Sequence, residues 1–247
     1  MAKKSDSVRT LAVDIGGTGI KAAVLDSTGK PIGQRQRELT PKPATPAAIL
    51  KLLDAMKDGV ADFHRVSIGF PGVVKKGVTL TAFNLDPAWV GFNLEKTILK
   101  RWGKPVHVAN DAAVQGYGAI HGEGVELVIT LGTGFGSSLF IDGTLVPGLE
   151  LAHHPWRKDK TYEDDLGKRG YEKHGRRKWN KLVEKAIAQL DYLFNYDHLY
   201  IGGGNATLIK FALPKGVTRV PNDDGLLGGV ALWRDRPAGD SEHNLLT

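Results

Sequence analysis

The hydrophobic pattern of the first forty residues predicts a three-stranded antiparallel meander. Apolar runs at 11–15 and 20–25 flank a glycine-rich turn, and the turn Asp26–Gly29 leads into a third extended run at 31–39. Short apolar runs bounded by turn residues are typical of β-strands. We therefore expect three strands that pair in the order in which they occur.

Helical and extended patterns alternate through the rest of the first half. Thr45 and Pro46 provide an N-cap and a first-turn residue for a helix. The predicted elements are a helix over about 47–59, a strand from Arg65 to Phe70, a helix from Glu95 to Trp102, a strand from Val106 to Ala109 and a helix from Asp111 to His121. Residues 73–93 lack helical periodicity, which predicts a long functional loop with short strands.

The opening pattern recurs in the second half of the chain. Strand, Gly-Thr-Gly turn, strand, hairpin and third strand occupy 127–146, where Gly132-Thr133 matches Gly17-Thr18. A chance pairing of two glycine-rich hairpins is the alternative, but the order of all three strands recurs and not the turn alone. A helix over about 179–195 and a strand from His198 to Ile201 follow.

An internal repeat of this size predicts an α/β protein with two similar lobes, each with its first turn facing the other lobe. We expect an N-terminal lobe over 1–108, joined by the C-terminal segment 233–247, and a C-terminal lobe over 109–232. The last dozen residues are polar and are expected to be frayed.

Composition excludes several classes of protein. The 247 residues suffice for one large domain or two small ones, and 41% hydrophobic with 24% charged residues is typical of a globular chain. The absence of cysteine excludes disulfides, Cys-ligated zinc, iron–sulfur clusters and thiol catalysis. A charged N-terminus and the lack of a long apolar run predict a protein without a membrane segment, in keeping with a reducing cytoplasm.

The charge is concentrated in one region. Lys and Arg number 33 against 27 Asp and Glu, a formal net charge of +6. Such a balance favours a polyanionic partner, which could be nucleic acid, a membrane surface or a phosphate-rich substrate, although a solvated basic surface is the simpler explanation. The basic residues cluster after Glu150 at 157–185, and they are Arg157, Lys158, Lys160, Lys168, Arg169, Lys173, Arg176, Arg177, Lys178, Lys181 and Lys185.

The two glycine-rich turns are candidate phosphate sites, because backbone N–H groups without side chains can approach phosphate oxygens. The first holds Gly16, Gly17, Thr18 and Gly19, and the second holds Gly132, Thr133, Gly134 and Gly136. Asp14 could hold Mg²⁺ through water and Lys21 could supply charge. Each turn joins two strands and no Gly-Lys-Ser/Thr opens a helix, which excludes a P-loop and a Rossmann dinucleotide site.

Two short segments are candidates for catalysis and substrate binding. Asp111 follows Asn110 at the end of a predicted strand, where it could serve as a general base or simply cap the next helix. Glu150 and His153 would lie one turn apart if that segment were helical. Without cysteine a zinc site there would need distant ligands, so hydrogen bonding to a polyhydroxylated substrate is the better interpretation.

Taken together, these segments resemble the ROK family of sugar kinases, and within it the polyphosphate glucokinases. The matching segments are 14–21, 69–74, 110–112, 131–137, 150–155, 161–164 and 202–205. The resemblance implies the two-lobed actin-like ATPase (ribonuclease H-like) fold, with the sugar in an interlobe cleft and the phosphate donor across it.

The resemblance also implies roles for individual residues. Asp111 would be the catalytic base that deprotonates the 6-hydroxyl of glucose. The residues expected around the sugar are Gly72, Asn84, Asn110, Glu150, His153 and Glu163. Gly203 and Gly204 would flank the adenosine of ATP if a nucleotide binds. A homodimer is expected from the resemblance alone.

Two departures from the family pattern affect these expectations. The wider family carries a Cys-rich zinc motif after the glutamate and histidine, and this chain has no cysteine there, so no zinc is expected. Ala152 stands where the family has glycine, and the position of Glu163 depends on alignment across the missing motif.

The expected reaction is phosphoryl transfer from polyphosphate, with ATP as a possible second donor, in the presence of Mg²⁺. Lys173, Arg176, Arg177 and Lys178 are expected to form a track for polyphosphate. The alternatives are an ATP-only hexose or N-acylmannosamine kinase and a non-catalytic regulator. The regulators of this family carry a DNA-binding helix-turn-helix, and about ten residues before the first strand are too few for one, so no nucleic-acid partner is expected.

Overall fold

The computed structural model describes residues 8–221, 226 and 228–233. The chain divides into two compact units. The first contains the described residues up to Gly118 and those of the C-terminal segment from 226 to 233, and the second runs from Ala119 to 221. Each is an α/β unit built on a five-stranded sheet.

The elements follow the chain in a simple order. Up to Gly118 they are β1 (Thr10–Ile15), β2 (Gly19–Leu25), β3 (Pro31–Leu39), α1 (Pro46–Asp58), β4 (Arg65–Phe70), β5 (Val74–Lys75), β6 (Val78–Thr79), β7 (Phe92–Asn93), α2 (Leu94–Trp102), β8 (Val106–Asn110) and α3 (Asp111–Ala119). Beyond it they are β9 (Val125–Leu131), β10 (Phe135–Ile141), β11 (Thr144–Val146), β12 (Pro155–Arg157), β13 (Lys160–Thr161), α4 (Tyr162–Leu166), α5 (Lys168–Phe194), β14 (His198–Gly202), β15 (Val217–Arg219) and α6 (Gly228–Ala231). Short 3-10 helices lie at Pro87–Trp89 and Gly204–Leu208.

The first sheet has the strand order β3-β2-β1-β4-β8. The meander β1 to β3 is antiparallel as predicted, whereas β1, β4 and β8 run parallel. Helix α1 begins at Pro46, and the Thr45 hydroxyl accepts from the Ala48 N–H at 3.3 Å, which confirms the predicted cap. Parallel strands bring the carboxyl ends of β1, β4 and β8 to one edge of the sheet, where α/β proteins place their chemistry.

The second sheet repeats the first. Its order is β11-β10-β9-β14-β15, again with an antiparallel meander on one side of the first strand and parallel strands on the other. The internal repeat predicted from the sequence is therefore a repeat of topology. The glycine-rich turns of the two sheets differ in length by one residue. Four residues separate the pair Ile15 and Ile20, and three separate the pair Leu131 and Phe135. Gly16 and Gly132 are thus the equivalent first residues of the two turns.

The division of the chain differs from the predicted boundaries. Helix α3 up to Gly118 and residues 228–232 belong to the first unit, whereas the sequence analysis assigned both to the C-terminal lobe. Close packing is the reason: a Cβ on Gly228 would lie 1.6 Å from the Val114 carbonyl oxygen, and the Trp233 Nε1–H donates to the buried Ser67 hydroxyl at 2.8 Å. These contacts join distant parts of the chain, so no local pattern reveals them. Residues 234–247, including the expected frayed end, lie outside the described residues.

Helix α5 begins at Lys168, well before the predicted start near 179. Gly175 interrupts it with φ +70°, a conformation that favours glycine. The segment from Glu150 to His153 forms a turn and not a helix. The loop 73–93 contains the three short strands β5, β6 and β7, as its irregular pattern predicted.

Each unit has its own core. In the first, Ile49 and Leu53 of α1 and Ile98 of α2 pack on the sheet. In the second, Trp179 and Ile187 of α5 do the same. Within the described residues, no helix combines the length and apolar character needed to span a bilayer.

Candidate active site

The first glycine turn, Gly16 to Gly19, joins β1 to β2 and is tightly packed. The Gly16 N–H donates to the Gly19 carbonyl at 3.0 Å, and a Cβ on Gly16 would come within 2.8 Å of that oxygen. A Cβ on Gly17 would lie 3.1 Å from Asn84 Cβ. Close approach therefore favours glycine at these positions, and the loop that carries Asn84 lies against the turn.

Thr40 closes the first turn, and the sequence analysis missed it. Its hydroxyl donates to the Gly16 carbonyl at 2.6 Å, and its N–H donates to the Thr18 carbonyl at 3.3 Å. The residue is 5% exposed. A threonine at the end of a strand carries no sequence signal for this role.

Asp14 and Lys21 lie opposite each other on β1 and β2. The Lys21 ammonium is 3.3 Å from Asp14 Oδ2. Burial raises the pKa of the Asp14 carboxyl, and the charge and hydrogen bond of Lys21 oppose that shift. The structure thus places the two charged residues predicted at this turn, Asp14 and Lys21, in direct contact.

Asn110 ends β8 and organises the residues around Asp111. Its Nδ2 donates to the Gly72 carbonyl at 3.0 Å, and its Oδ1 accepts from the N–H groups of Ala112 at 2.9 Å and Ala113 at 3.3 Å. Asn110 therefore caps α3 and anchors the Gly72 loop. Asp111 opens α3, and its Oδ1 accepts from the Ala112 N–H at 2.8 Å.

Gly72 is fixed by the loop that follows it. A Cβ there would lie 2.3 Å from the Thr81 carbonyl oxygen. The Thr81 hydroxyl in turn accepts from the Val73 N–H at 2.9 Å. Among the predicted sugar residues, the structure thus joins Gly72 directly to Asn110, while Asn84 contacts the first turn.

The second turn connects β9 to β10. The Gly132 N–H donates to the Gly134 carbonyl at 3.1 Å, and the Gly136 N–H donates to the Thr130 hydroxyl at 3.2 Å. Gly132 has an ordinary φ, and a Cβ built on it would meet no atom within 4 Å. Nothing within the described protein therefore requires glycine at this position.

The Gly132 carbonyl, the first of the second turn, accepts two hydrogen bonds. It accepts from the Lys168 N–H at 2.9 Å and from Asn205 Nδ2 at 3.2 Å. Helix α5 thus begins directly on this turn. Gly203 has φ +84° and its Cβ would lie 2.3 Å from the Leu131 carbonyl oxygen, whereas Gly204 faces open space.

Glu150, His153 and Glu163 lie close enough to influence one another. Burial raises the pKa of the Glu150 carboxyl, the Ala152 N–H and the His153 charge lower it, and the Glu163 charge raises it. Ala152 links the group, because its N–H donates to Glu150 Oε1 at 3.0 Å and its carbonyl accepts from the Glu163 N–H at 2.9 Å. The three predicted sugar residues of the second unit thus form one cluster.

Glu163 also contacts the second turn. Its Oε2 accepts from the Phe135 N–H at 3.2 Å, and a Cβ on Gly134 would lie 2.4 Å from that oxygen. The residue expected around the sugar therefore reaches the turn expected to bind phosphate.

A buried ionic network lies beside this cluster and was not predicted. Asp165 is 2% exposed and forms an ion pair with Arg157, whose Nε lies 2.8 Å from Oδ2. It accepts a hydrogen bond from Trp156 Nε1 at 3.2 Å, and His174 Nε2 lies 2.7 Å from its Oδ1. Arg157, whose side chain is 20% exposed, is thus paired with a buried carboxylate. Among the described residues, no three His, Cys, Asp or Glu side chains form a group that could hold a metal ion.

The four residues of the expected polyphosphate track are exposed along α5. They are Lys173, Arg176, Arg177 and Lys178. In the part of the chain that the structure describes, none of them has a carboxylate within 4.0 Å, whereas the neighbouring Lys168 lies 3.9 Å from Glu172. Their charges are therefore available to a polyanion.

The sequence profile of the ROK family matches residues 10–155. The chain belongs to the ROK family. A polyphosphate glucokinase from Mycobacterium tuberculosis is 35% identical over 202 residues, which cover 78% of this chain and 76% of that protein.

Solved structures agree with this assignment. The inorganic polyphosphate/ATP-glucomannokinase from Arthrobacter sp. strain KM matches with a TM-score of 0.82 and 29% identity, over 93% of this chain and all of that one. A ROK family glucokinase from Streptomyces griseus, in complex with glucose and AMPPNP, has a TM-score of 0.77 at 22% identity over 92% and 99% of the two chains. The fold is that of the ROK sugar kinases, the actin-like ATPase fold predicted from the sequence.

Proposed function

We propose that this ROK-family member is a polyphosphate glucokinase. It transfers the terminal phosphoryl group of inorganic polyphosphate to the 6-hydroxyl of glucose and yields glucose 6-phosphate, with ATP as a second donor. The observation that carries this proposal is the 35% identity to a polyphosphate glucokinase over 78% of the chain. The two glycine turns and the Asn110–Asp111 pair fit the same reaction.

In the proposed reaction, Asp111 is the general base. Its carboxylate accepts the proton of the 6-hydroxyl as that oxygen forms a bond to the terminal phosphorus. The bond between this phosphorus and the bridging oxygen breaks, and the polyphosphate leaves one phosphate shorter. Asn110 supports Asp111, since it caps the helix that Asp111 opens and holds the Gly72 loop.

Sugar recognition is assigned to the six residues that the resemblance implies. Gly72, Asn84 and Asn110 supply them in the first unit, and Glu150, His153 and Glu163 supply them in the second. Ionised Glu150 accepts hydrogen bonds from sugar hydroxyls, and an imidazole can both donate and accept. Ala152, in place of the family's glycine, is compatible with this role because both of its backbone polar groups are hydrogen-bonded within the cluster.

Phosphate recognition is assigned to the two glycine turns. Gly132 supports this assignment, because its missing side chain leaves room that no protein atom requires. Gly204 has the same property, which supports the expected approach of an adenosine to Gly203 and Gly204 when ATP is the donor.

Magnesium is proposed as the companion of the phosphate donor. The residues fit a weakly held ion: Asp14 is a single carboxylate at the first turn, and Mg²⁺ is commonly held by one or two carboxylates, water and substrate phosphates. When bound, the ion would neutralise charge on the phosphoryl oxygens. Lys21 contributes positive charge at the same place.

The basic stretch of α5 is proposed as a polyphosphate track. It begins beside the second turn, because the Lys168 N–H contacts the Gly132 carbonyl. A row of exposed cations attracts a linear polyanion by the same electrostatics as basic grooves attract nucleic-acid backbones. We also propose a cytoplasmic homodimer, from the resemblance and the composition.

The proposal is tested by incubating the purified protein with glucose, Mg²⁺ and polyphosphate as the sole phosphoryl donor. Formation of glucose 6-phosphate, followed with a coupled dehydrogenase, is expected, and Asp111→Asn is the matched inactive control. Product formed from ATP alone would favour the ATP-only kinase, and no product from either donor would favour a non-catalytic regulator.

A further inference from the structure

The two glycine turns share a feature that their sequences do not show. In each turn the first carbonyl group is held by a side chain from elsewhere in the same unit. The Thr40 hydroxyl donates to the Gly16 carbonyl at 2.6 Å, and Asn205 Nδ2 donates to the Gly132 carbonyl at 3.2 Å.

The held carbonyl determines where the next N–H group points. In a planar trans peptide the C=O of one residue and the N–H of the next point in opposite directions. A carbonyl of Gly16 fixed toward Thr40 therefore directs the Gly17 N–H away from Thr40. The Gly132 carbonyl, fixed toward Asn205, directs the Thr133 N–H away in the same manner.

These two N–H groups have no acceptor of their own. Among the described residues, neither the Gly17 N–H nor the Thr133 N–H donates a hydrogen bond to the protein. Additional bonds steady both turns, since the Thr40 N–H donates to the Thr18 carbonyl at 3.3 Å and the Lys168 N–H reaches the Thr133 carbonyl at 3.3 Å. An N–H group held in one orientation without a partner suits an anionic oxygen.

We propose that Thr40 and Asn205 are positioning residues for phosphoryl transfer, one for each turn. Each holds a peptide plane so that the N–H of Gly17 or Thr133 is oriented toward a phosphate oxygen before the donor binds. Neither side chain touches the substrate in this account. The inference rests on the proposed function, because it assigns the N–H groups to the phosphates of polyphosphate or ATP.

The conservative pair Thr40→Val and Thr40→Ser separates the hydroxyl from the shape of the side chain. Valine retains the volume and loses the donor, whereas serine retains the donor. For Thr40→Val, kcat/KM for polyphosphate and for ATP is expected to fall about tenfold, in keeping with one lost hydrogen bond. The dissociation constant for glucose, measured by calorimetry, should not change, and Thr40→Ser should restore most of the loss.

Asn205→Asp tests the second turn. It replaces the donor by an oxygen against the Gly132 carbonyl and should lower the same donor parameters about tenfold or more. Asn93→Asp makes the same change of charge at the N-cap of α2, and Thr10→Val removes a buried hydroxyl at the far end of β1. Both control variants should keep wild-type kinetics.

The outcomes are distinguishable. Wild-type protein that makes no glucose 6-phosphate from either donor would refute the proposed function. Active wild-type protein together with Thr40→Val and Asn205→Asp variants of unchanged kcat/KM for the donor would refute the positioning role alone. Equal losses of glucose affinity and donor kcat/KM would also refute it, because they indicate a general loss of structure. If Thr40→Val does not fold, Asn205→Asp decides the question by the same parameters.

Discussion

At the scale of single residues, Asp111 is the general base of the proposed reaction. It opens α3 beside Asn110, which also holds the Gly72 loop. Replacement by Asn removes the base and keeps the size of the side chain. We expect kcat to fall by about 10²–10⁴-fold, the usual contribution of a general base. The dissociation constant for glucose should stay at its wild-type value, and substantial turnover in this variant would contradict the assignment.

A substitution at Gly132 can distinguish an effect on donor binding from an effect on folding. Its Cβ position is open and its φ is ordinary, so Gly132→Ala should fold with an unchanged Tm. The added methyl should hinder the donor and lower kcat/KM for polyphosphate about tenfold or more. Gly203→Ala is the contrasting variant, because φ +84° and the nearby Leu131 carbonyl should make it lose stability. A Gly132→Ala protein with wild-type kinetics would contradict the proposal that the second turn binds the phosphoryl donor.

Glu150 should show a trade between stability and function. Burial raises its pKa above the ordinary 4.5, so the folded protein binds this proton more tightly than the unfolded chain. Stability therefore falls as pH rises from about the ordinary value through the raised one. Glu150→Gln should raise Tm at neutral pH, with no difference at a pH below both values.

The same variant should bind glucose less well. A lost charged hydrogen bond of about 1.5–3 kcal/mol raises the glucose KM about tenfold or more. Thermal scans across pH check the expected rise in Tm, and steady-state kinetics check the expected rise in the glucose KM. A lower Tm at neutral pH, or an unchanged KM, would contradict this role of Glu150.

Residues with a motif were predictable, and residues without one were not. Asp111 and Gly132 belong to short patterns at the ends of strands, and Glu150 belongs to a short pattern in a loop. Thr40 and Asp165 act through contacts with positions far away in the chain, and neither is part of a pattern. The contact of Glu163 with the Phe135 N–H was also hidden, because it depends on how α4 packs on the second turn.

At the scale of elements, the proposed binding of polyphosphate depends on helix α5. Neutralising Lys173, Arg176, Arg177 and Lys178 together, each to Gln, should raise the KM for polyphosphate and reduce its dependence on salt. Counterion release predicts a flatter slope of log affinity against log salt when cationic contacts are lost. The KM for ATP should change less, since a nucleotide carries fewer charges than a long polyanion.

A matched control uses four exposed lysines of the first unit. Replacing Lys51, Lys96, Lys100 and Lys104 by Gln makes the same change of net charge on α1, on α2 and just beyond it. This variant should retain the wild-type KM and salt dependence. Equal effects of the two sets would mean that net charge acts and that no track exists.

Elements with clear boundaries were predicted well. Strand β4 and helix α1 match because turn residues and the Thr45 cap define them. Helix α5 was predicted too short, because Gly170 and Gly175 weaken the helical pattern of its first turns. Gly170 is nevertheless helical and buried. Close packing explains the glycine, because a Cβ there would come within 2.3 Å of the Asp165 carbonyl oxygen.

At the scale of the whole molecule, the repeat was the most informative feature of the sequence. Two meanders with the same order of strands predicted two sheets of the same topology, and the structure has both. The assignment of α3 and of residues 228–232 to the first unit could not be predicted in this way. It depends on the packing of Gly228 against Val114 and of Trp233 against Ser67, which joins segments far apart in the chain.

The most direct test of the central claim is a donor competition. The purified protein is given glucose, Mg²⁺ and equal concentrations of polyphosphate chains and ATP, with the two donors carrying different phosphorus isotopes. The account predicts that most of the label in glucose 6-phosphate comes from polyphosphate, and that the Asp111→Asn variant incorporates neither label. Incorporation from ATP alone would contradict it.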